Sequence, residues 1–431
     1  MTAFQRDALQ NFVADGAKDH PLVFVGREDL IREILTKSQR ALERVQAGRQ
    51  VAPGHAIIIQ GAPGAGKSSV LHELVLRSDQ EEVSRTVVIS NVDLQQALPD
   101  VLQALVFAGT ATQENWLQAL SRYGENWIQK ISAVQAFGFG FSLADSSETA
   151  RPQDLVSLKK QVPAEMWHVP VIVAVDEAQR LPSGTDTPHA LFLQILHDAG
   201  TSLPLTLVCA GLGDTQSRLR SLGLTHGVRA HSLGCLTRDE YTELLPRFCA
   251  HFGIKMGAGF ERMLAVMHTT DGWPRHLHWA QQALAEAVLK PAVNGDLDRI
   301  TDWDWVQARS NELRHGYYDT QFSDEMDISR KLVARVMCDV GHAQAAGQGL
   351  RIDDIHATIR SLSEYGSPNN LKLPEGFSPE SFTTHLIHCG ALQMNSNRSL
   401  SCPIPSFQSY IIRQGELDPD PLQGCTEHNP S

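Results

Sequence analysis

The segment Gly61–Ser69, which reads GAPGAGKSS, combines glycines with one lysine and two serines. Glycines let consecutive backbone N–H groups point at one anion, because no Cβ atom crowds the loop. A lysine here can reach the outer phosphates of a nucleotide, and the serine after it can ligate Mg²⁺. The segment therefore predicts a nucleotide-binding loop in which Ser68 is a metal ligand, formed by Gly61, Ala62, Pro63, Gly64, Ala65, Gly66, Lys67, Ser68 and Ser69.

The residues on either side of this loop predict the elements that hold it. The run HAIIIQ at 55–60 is short and β-branched, which predicts a strand. The run SSVLHELVLRS has apolar residues at helical spacing, so a helix follows the loop and directs its positive end at the phosphates. A phosphate-binding loop requires this order of strand, loop and helix.

The run VIVAVDEAQ at 171–179 places Asp176 and Glu177 at the end of a buried strand. A carboxylate in such a place is costly unless it meets a cation. Asp176 is therefore predicted to hold Mg²⁺, and Glu177 to polarise the water that attacks the γ-phosphate. A glutamate at this point favours an ATPase over a GTPase or a small-molecule kinase.

Continuous apolar runs recur through the first half of the chain, as in parallel strands that are buried on both faces. They predict an α/β fold with strands at 55–60, 86–90, 171–179, 204–211 and 229–233. An insert at 91–170 separates the second run from the third, and in it Phe137, Phe139 and Phe141 alternate with glycines. These rings are interpreted either as a hairpin laid on the core or as a loop that contacts a partner or substrate.

After the last strand the pattern becomes helical. A linker helix is predicted to start near Thr301, whose hydroxyl can cap it. In the final region, two helical stretches precede a third that starts at Ser378 and Pro379 and stops at Gly390. The runs ALQM and SLSC flank the turn NSNR and indicate a hairpin. Three helices and a hairpin predict a C-terminal winged-helix domain.

These motifs resemble those of the AAA+ ATPases, which are P-loop NTPases, and above all the branch of origin-recognition/Cdc-type initiators, transposition regulators and STAND signalling ATPases. GAPGAGKSS and VDEAQ resemble the Walker A and Walker B motifs of that family. PLVFVGRED, at 21–29, resembles the segment that these proteins place over the adenine, with Val25, Gly26 and Arg27 matching best. The resemblance covers roughly 21–413 and implies a parallel-sheet core with a helical lid that binds and hydrolyses Mg-ATP.

The resemblance also implies roles for residues outside the two main motifs. DGWPRHL resembles the second sensor, in which Arg275 would cross from the lid to the γ-phosphate and couple phosphate state to domain angle. Asn91 matches a polar residue that restrains the catalytic glutamate. Arg229, placed just before the fifth strand, best matches an arginine finger acting between subunits, with Arg218 and Arg220 as alternatives, and this implies a homo-oligomer.

The end of the fourth strand departs from the family pattern. Relatives end this strand with Asn, Ser or Thr, which helps to position the attacking water, whereas this chain has Gly211 and Leu212 there. The first sensor is therefore predicted to be displaced or absent, and hydrolysis to be slow.

Composition argues against several classes of function. A net charge of −12 disfavours broad affinity for nucleic acid, which depends on neutralising phosphates. The start of the chain lacks the apolar centre of a secretory signal, and no window resembles a membrane span. The 7 cysteines are odd in number and include no CxxC pair, which predicts reduced thiols and a cytoplasmic location.

The patterns together predict six segments, one of which contains an insert. They are an N-terminal segment (1–20), an AAA+ core (21–233) with its insert (91–170), a helical lid (234–298), a linker helix (299–320), a winged-helix-like domain (321–413) and a disordered tail (414–431).

Three functions remain open at this point. The first is an ATPase whose nucleotide state controls assembly with a protein partner, as in defence, transposition or signalling. The second is an initiator-like ATPase that binds DNA through the winged helix, although the expected wing offers only Arg398 and the candidate recognition helix has no Lys or Arg. The third is a scaffold that binds ATP with little hydrolysis. The weak basic charge slightly favours docking to protein.

Overall fold

The computed structural model describes residues 1–14, 23–49, 56–90, 100–101, 104–105, 108, 167–181, 187–347, 349–363, 373, 376–395 and 399–414. Several predictions concern residues outside these ranges: the restraining Asn91, the alternating phenylalanines at 137–141, Arg398 and the tail from 415 onward.

Within the described ranges, five parallel strands form the central sheet in the order β2-β3-β4-β1-β5. The strands are β1 (Ala56–Gln60), β2 (Arg85–Ile89), β3 (Val171–Val175), β4 (Leu205–Gly211) and β5 (Val228–Ser232). Strands β3 and β4 are buried along their whole length, as continuous apolar runs require. The carboxyl ends of β1, β3 and β4 therefore lie side by side at one edge of the sheet. The predicted α/β parallel sheet is confirmed.

Apolar side chains of β1 alternate between the two faces of the sheet, and helices cover both faces. Ile57 and Ile59 belong to one buried cluster and Ile58 to the other. The helices whose bounds the structure describes in this half of the chain include α1 (Ala3–Ala14), α2 (Glu28–Gln46), α3 (Lys67–Glu81), α4 (Pro188–Ala199) and α5 (Thr215–Ser221).

Three helices after β5 form a lid, together with α1 from the start of the chain. They are α6 (Arg238–Phe252), α7 (Gly259–His268) and α8 (Pro274–Val288). Phe12 of α1 meets Phe248 of α6 edge to face at 5.4 Å between ring centroids, within a buried cluster of its own. Thr237 and Glu240 cap α6 reciprocally, which fixes where the lid begins.

The linker helix α9 (Trp303–Gln321) starts slightly later than the sequence suggested. Its N-cap is Asp302, whose carboxylate accepts a hydrogen bond of 2.8 Å from the N–H of Trp305. The prediction that Thr301 caps this helix is therefore wrong, because the longer, charged side chain one residue on reaches the free N–H group.

The C-terminal part contains helices and a small antiparallel sheet of order β6-β8-β7. Its elements are α10 (Ser323–Ala345), β6 (Leu350–Arg351), α11 (Ile352–Ser363), α12 (Pro379–His388), β7 (Gln393–Met394), β8 (Ser399–Ser401) and α13 (Pro405–Gln414). Ser378 caps α12, and Gly390 follows it at φ +82, as the start and stop residues predict. Strand β6 and helix α13 extend the predicted set. The winged-helix assignment of this domain stays a prediction.

The C-terminal domain shares one continuous core with the sheet. Ile57 and Ile59 belong to the same buried cluster as Leu386 of α12 and Phe407 of α13. The buried Tyr318 of α9 links the lid to this domain, since its hydroxyl lies 2.7 Å from Nε2 of His276 and 2.8 Å from Oγ of Ser406.

Among the described helices, none is long and apolar enough to cross a membrane. The free thiols belong to Cys209, Cys235, Cys249, Cys389 and Cys402. Cys338 is disulfide-bonded, so the expectation that all thiols are reduced is wrong.

Candidate functional site

The glycine-rich loop between β1 and α3 adopts the conformation its composition predicts. Gly64 and Gly66 have φ angles of +83 and +92, in the left-handed region that favours glycine. Helix α3 begins at Lys67, and no described side chain caps its first turn. Its free N–H groups therefore remain available to an anion at the positive end of the helix.

The ammonium group of Lys67 is buried under this loop. Only 7% of the residue is exposed, and Nζ donates to the carbonyl oxygens of Gly61 (2.9 Å) and Ala62 (3.2 Å). Burial lowers the pKa of Lys67 to about 8, although the nearby carboxylates of Glu177 and Asp176 act in the opposite direction. A buried cation of this kind is ready to pair with a phosphate.

The predicted metal ligands lie together at the ends of two strands. The hydroxyl of Ser68 donates to Oδ2 of Asp176 at 2.7 Å, and Oδ1 of the same carboxylate accepts from the N–H of Glu177 at 2.9 Å. Two oxygens facing each other beside a phosphate loop are ligands that Mg²⁺ accepts, usually together with phosphate oxygens and water. The donor set therefore fits a magnesium nucleotide.

A cavity of about 460 Å³ opens in front of the loop. This is within the usual range for a small-molecule site. Its lining residues come from four parts of the chain: the segment at 23–27, the loop and the β3 end, the lid, and the C-terminal domain. Val25 is part of this lining. Gly26 forms the adjacent turn at φ +70, where a Cβ atom would lie 2.8 Å from Oε1 of Glu240.

Arg275, the predicted second sensor, lies in this cavity at the start of α8. Its backbone N–H donates to the carbonyl oxygen of Gly64 at 3.2 Å, which joins the lid to the loop. Its guanidinium carbon lies 5.9 Å from the ring centroid of Trp279 and 5.8 Å from that of Tyr317. The arginine is thus held at the junction of lid, linker and loop, and its contact with a γ-phosphate stays a prediction.

Arg229, the predicted arginine finger, lies elsewhere. It is the second residue of β5, Val228–Ser232, and so lies inside the strand that the sequence expected it to precede. Its Nη1 forms an ion pair of 3.0 Å with Oε1 of Glu33 on α2. The side chain is 63% exposed on the edge strand of the sheet. Arg229 does not line the described cavity. An arginine that acts on the nucleotide of a neighbouring subunit need not line the cavity of its own chain.

The structure adds residues to the site that the motifs did not predict. Gln179 and Arg180 follow Glu177 in a short 3-10 turn, Ala178–Arg180, and both line the cavity. His388 and Cys389 reach the same cavity from the end of α12. The VDEAQ run includes Gln179, but its continuous apolar start suggests an extended strand and conceals the turn.

The comparisons with known proteins agree with this geometry. A model of the novel STAND NTPase 1 family matches residues 8–297, more than half of the chain. The chain belongs to this family. A comparison with curated proteins finds no match.

Members of this family are NTPases, and solved structures show a related fold. The Orc2 protein of Aeropyrum pernix, in ADPNP–ADP complexes, is 12% identical with a TM-score of 0.52, over 96% of this chain and 98% of that one. A Walker-type ATPase of Pyrococcus abyssi is 18% identical with a TM-score of 0.49, over 93% and 99%. Cdc6p from Pyrobaculum aerophilum is 15% identical with a TM-score of 0.37, over 92% and 97%. The resemblance to AAA+ P-loop NTPases of the origin-recognition/Cdc and STAND branch is confirmed.

Gly64 offers a direct test of the contact between loop and lid. A Cβ atom there would lie 2.7 Å from Cβ of Arg275 and 3.0 Å from Nε1 of Trp273. Gly48 is a matched control, since its φ is +65 and no atom lies within 4 Å of an added Cβ. Gly48→Ala should cost about 1 kcal/mol through backbone strain alone. Gly64→Ala should lower the midpoint of thermal unfolding clearly further. Equal midpoints for the two variants would show that the loop and the lid do not press on each other.

Proposed function

We propose that this protein is a Mg-ATP-hydrolysing switch whose nucleotide state controls its assembly with a protein partner. The observation that carries the proposal is the position of the C-terminal domain, which packs on the phosphate loop and contributes to the wall of the nucleotide cavity. A domain in that position senses what the cavity contains.

Three contacts support this position. A Cβ atom on Gly390 would lie 2.4 Å from Cδ of Pro63, so α12 ends directly against the phosphate loop. Nε2 of His388 lies 3.3 Å from Oδ2 of Asp214, in the turn after β4. In the same turn, a Cβ atom on Gly213 would lie 3.3 Å from Cγ of Gln393.

The chemistry assigned to the cavity follows from its donors. Ser68 and Asp176 would hold Mg²⁺, which when bound neutralises charge on the phosphate oxygens. Lys67 and the N–H groups at the start of α3 bind the phosphates, and Val25 and Gly26 lie where the base enters. Glu177 is the base that takes a proton from the attacking water, and Arg275 reports the terminal phosphate to the lid.

The contacts of Glu177 and Arg229 support a regulated enzyme rather than a fast one. Oε2 of Glu177 lies 2.5 Å from Nε2 of Gln179 and 3.2 Å from Nε of Arg180. Arg229 is paired with Glu33 of its own chain. A homo-oligomer that uses Arg229 on a neighbouring nucleotide must first break that pair, which ties hydrolysis to assembly.

A protein partner is favoured over DNA by the chemistry of the C-terminal domain. Helix α12, Pro379–His388, carries Glu380 in its first turn and no lysine or arginine. Arg360 of α11 is already paired with that glutamate. Because phosphate contacts dominate DNA affinity, such a surface suits a protein.

The pKa of Lys67 gives a pH test of nucleotide binding. Burial lowers this pKa to about 8, so in the nucleotide-free protein the ammonium loses its proton as the pH rises through that value. The Kd for Mg-ATP should therefore be constant below pH 7 and rise up to about tenfold per pH unit above 8. Titration with a fluorescent ATP analogue measures it.

Two variants control this titration. Lys67→Arg stays charged throughout and should remove the pH dependence. Glu177→Gln should shift the pH at which the Kd begins to rise to a lower value, because the Glu177 carboxylate raises the pKa of the lysine. A wild-type Kd that is flat from about pH 7 to 9.5 would contradict the combination of a lowered pKa and a phosphate role for Lys67.

Glu177→Gln separates binding from hydrolysis. The amide keeps the shape of the side chain but cannot accept the proton of water, so phosphate release should fall by about 10²–10⁴-fold with ATP affinity retained. Sedimentation of this ATP-trapped variant over a range of concentrations then measures assembly. Undiminished hydrolysis would place the base elsewhere, and sedimentation identical with ATP and ADP would overturn the switch.

In the proposed arrangement the C-terminal domain covers one side of the nucleotide cavity. The rate of nucleotide dissociation tests this cover. Gly390→Ala adds a methyl group against Pro63 and should speed dissociation of the labelled nucleotide several-fold. Gly347→Ala is its control, because that glycine also follows a helix of this domain, at φ +69, and has no atom within 4 Å of an added Cβ. Asp214→Asn, which weakens the pair with His388 without touching the loop, should also speed release. If only Gly390→Ala has an effect, it acts by deforming the loop and the cover is rejected.

A further inference from the structure

Gly211 ends β4 at the point where the family resemblance predicts a polar side chain. The space for such a side chain is filled from elsewhere. A Cβ atom on Gly211 would lie 2.2 Å from Oγ1 of Thr215 and 2.5 Å from Oε1 of Gln179. Both distances are far below a normal contact, so a side chain on residue 211 would have to displace the Thr215 hydroxyl and the Gln179 amide.

The Gln179 amide is fixed in one orientation by its two neighbours. Its Oε1 accepts a hydrogen bond of 3.1 Å from the backbone N–H of Leu212, directly after Gly211. Its Nε2 donates to Oε2 of Glu177 at 2.5 Å. The reversed amide would face an N–H with its own N–H₂ group and a carboxylate with its carbonyl oxygen, so both interactions would become repulsive.

Glu177 depends on such support because its backbone is strained. Its φ is +54, in the left-handed region that non-glycine residues rarely adopt. Among the described residues, the side-chain contacts of its carboxylate are made by one oxygen, Oε2, with Gln179 and with the largely exposed Arg180. Glu177 also lines the cavity in front of the phosphate loop.

The turn after β4, which bonds to Gln179, is also hydrogen-bonded to the phosphate loop. The N–H of Gly61, the first loop residue, donates to the carbonyl oxygen of Gly211 at 3.1 Å. Oγ1 of Thr215 closes the same turn by donating to the carbonyl oxygen of Leu212 at 2.6 Å. Gln179 therefore ties the glutamate to a turn whose position is set by the phosphate loop.

We infer that Gln179 is the positioning residue for Glu177 and replaces, from the VDEAQ turn, the polar side chain that β4 lacks. The inference rests on the proposed ATPase function. In this arrangement the amide orients the general base relative to the phosphate loop. The polar group expected of the first sensor is then supplied by Gln179 instead of by the end of β4.

Two substitutions test the inference by steady-state hydrolysis and binding of a fluorescent ATP analogue. Gln179→Leu removes both hydrogen bonds and should lower kcat at least about tenfold, within the contribution of a positioned base, with affinity changed less than about twofold. Gln179→Glu keeps the acceptor for Leu212 but sets a carboxylate against Glu177. Its kcat relative to the wild type should be low at pH 8 and recover towards pH 6, as the introduced carboxyl gains a proton and can donate again.

The outcomes separate this inference from the proposed function. If the wild type hydrolyses ATP and Gln179→Leu keeps full kcat, the inference is wrong and the ATPase stands. If Gln179→Leu fails to fold, the pH profile of Gln179→Glu decides, and a profile parallel to that of the wild type overturns the positioning role. If the wild type binds ATP but releases no phosphate at any protein concentration, the ATPase fails and the inference falls with it.

Discussion

The arrangement of the phosphate loop and its neighbours depends on the burial of one ammonium group. Lys67 is placed under the phosphate loop, where water is largely excluded and two backbone carbonyl oxygens are its direct partners. A cation in such surroundings is costly unless negative charge is near, and that cost is what lowers its pKa. The carboxylates of Asp176 and Glu177 supply part of that charge, and a phosphate would supply the rest. The strand ends that carry these carboxylates and the start of α3 meet beside this cation.

Separate parts of the chain meet at the cavity in front of this cation. The core supplies the loop and Glu177, the lid supplies Arg275, and the C-terminal domain supplies His388 and Cys389. The N–H of Arg275 bonds to Gly64 and its guanidinium lies beside the rings of Trp279 and Tyr317, so a movement of this side chain would change contacts between lid and linker. Since packed interiors have discrete rather than continuous arrangements, such a shift is suited to switching.

The motifs that are contiguous in the sequence were predictable, and the contacts between distant segments were not. The sheet, the loop and the Ser68–Asp176 pair follow from apolar runs and strand ends, because parallel strands bring their carboxyl ends to one edge. The Gln179 contact could not be predicted, since it depends on a left-handed φ at Glu177 that glutamate seldom adopts. The Asp302 cap was missed for a smaller reason: Thr301 and Asp302 are both good N-caps, and only the backbone decides between them.

The turn from Gly211 to Thr215 brings these features together. It accepts a hydrogen bond from the first residue of the phosphate loop, donates one to Gln179, and meets the C-terminal domain through Asp214 and His388. The C-terminal domain and Glu177 are therefore joined through this turn by three contacts: His388 with Asp214, Leu212 with Gln179, and Gln179 with Glu177. If α12 moves away from Pro63, the pair at Asp214 breaks and the turn loses one of its supports. Because the same turn also bonds to Gln179, the position of the C-terminal domain and the proposed positioning of Glu177 share one support.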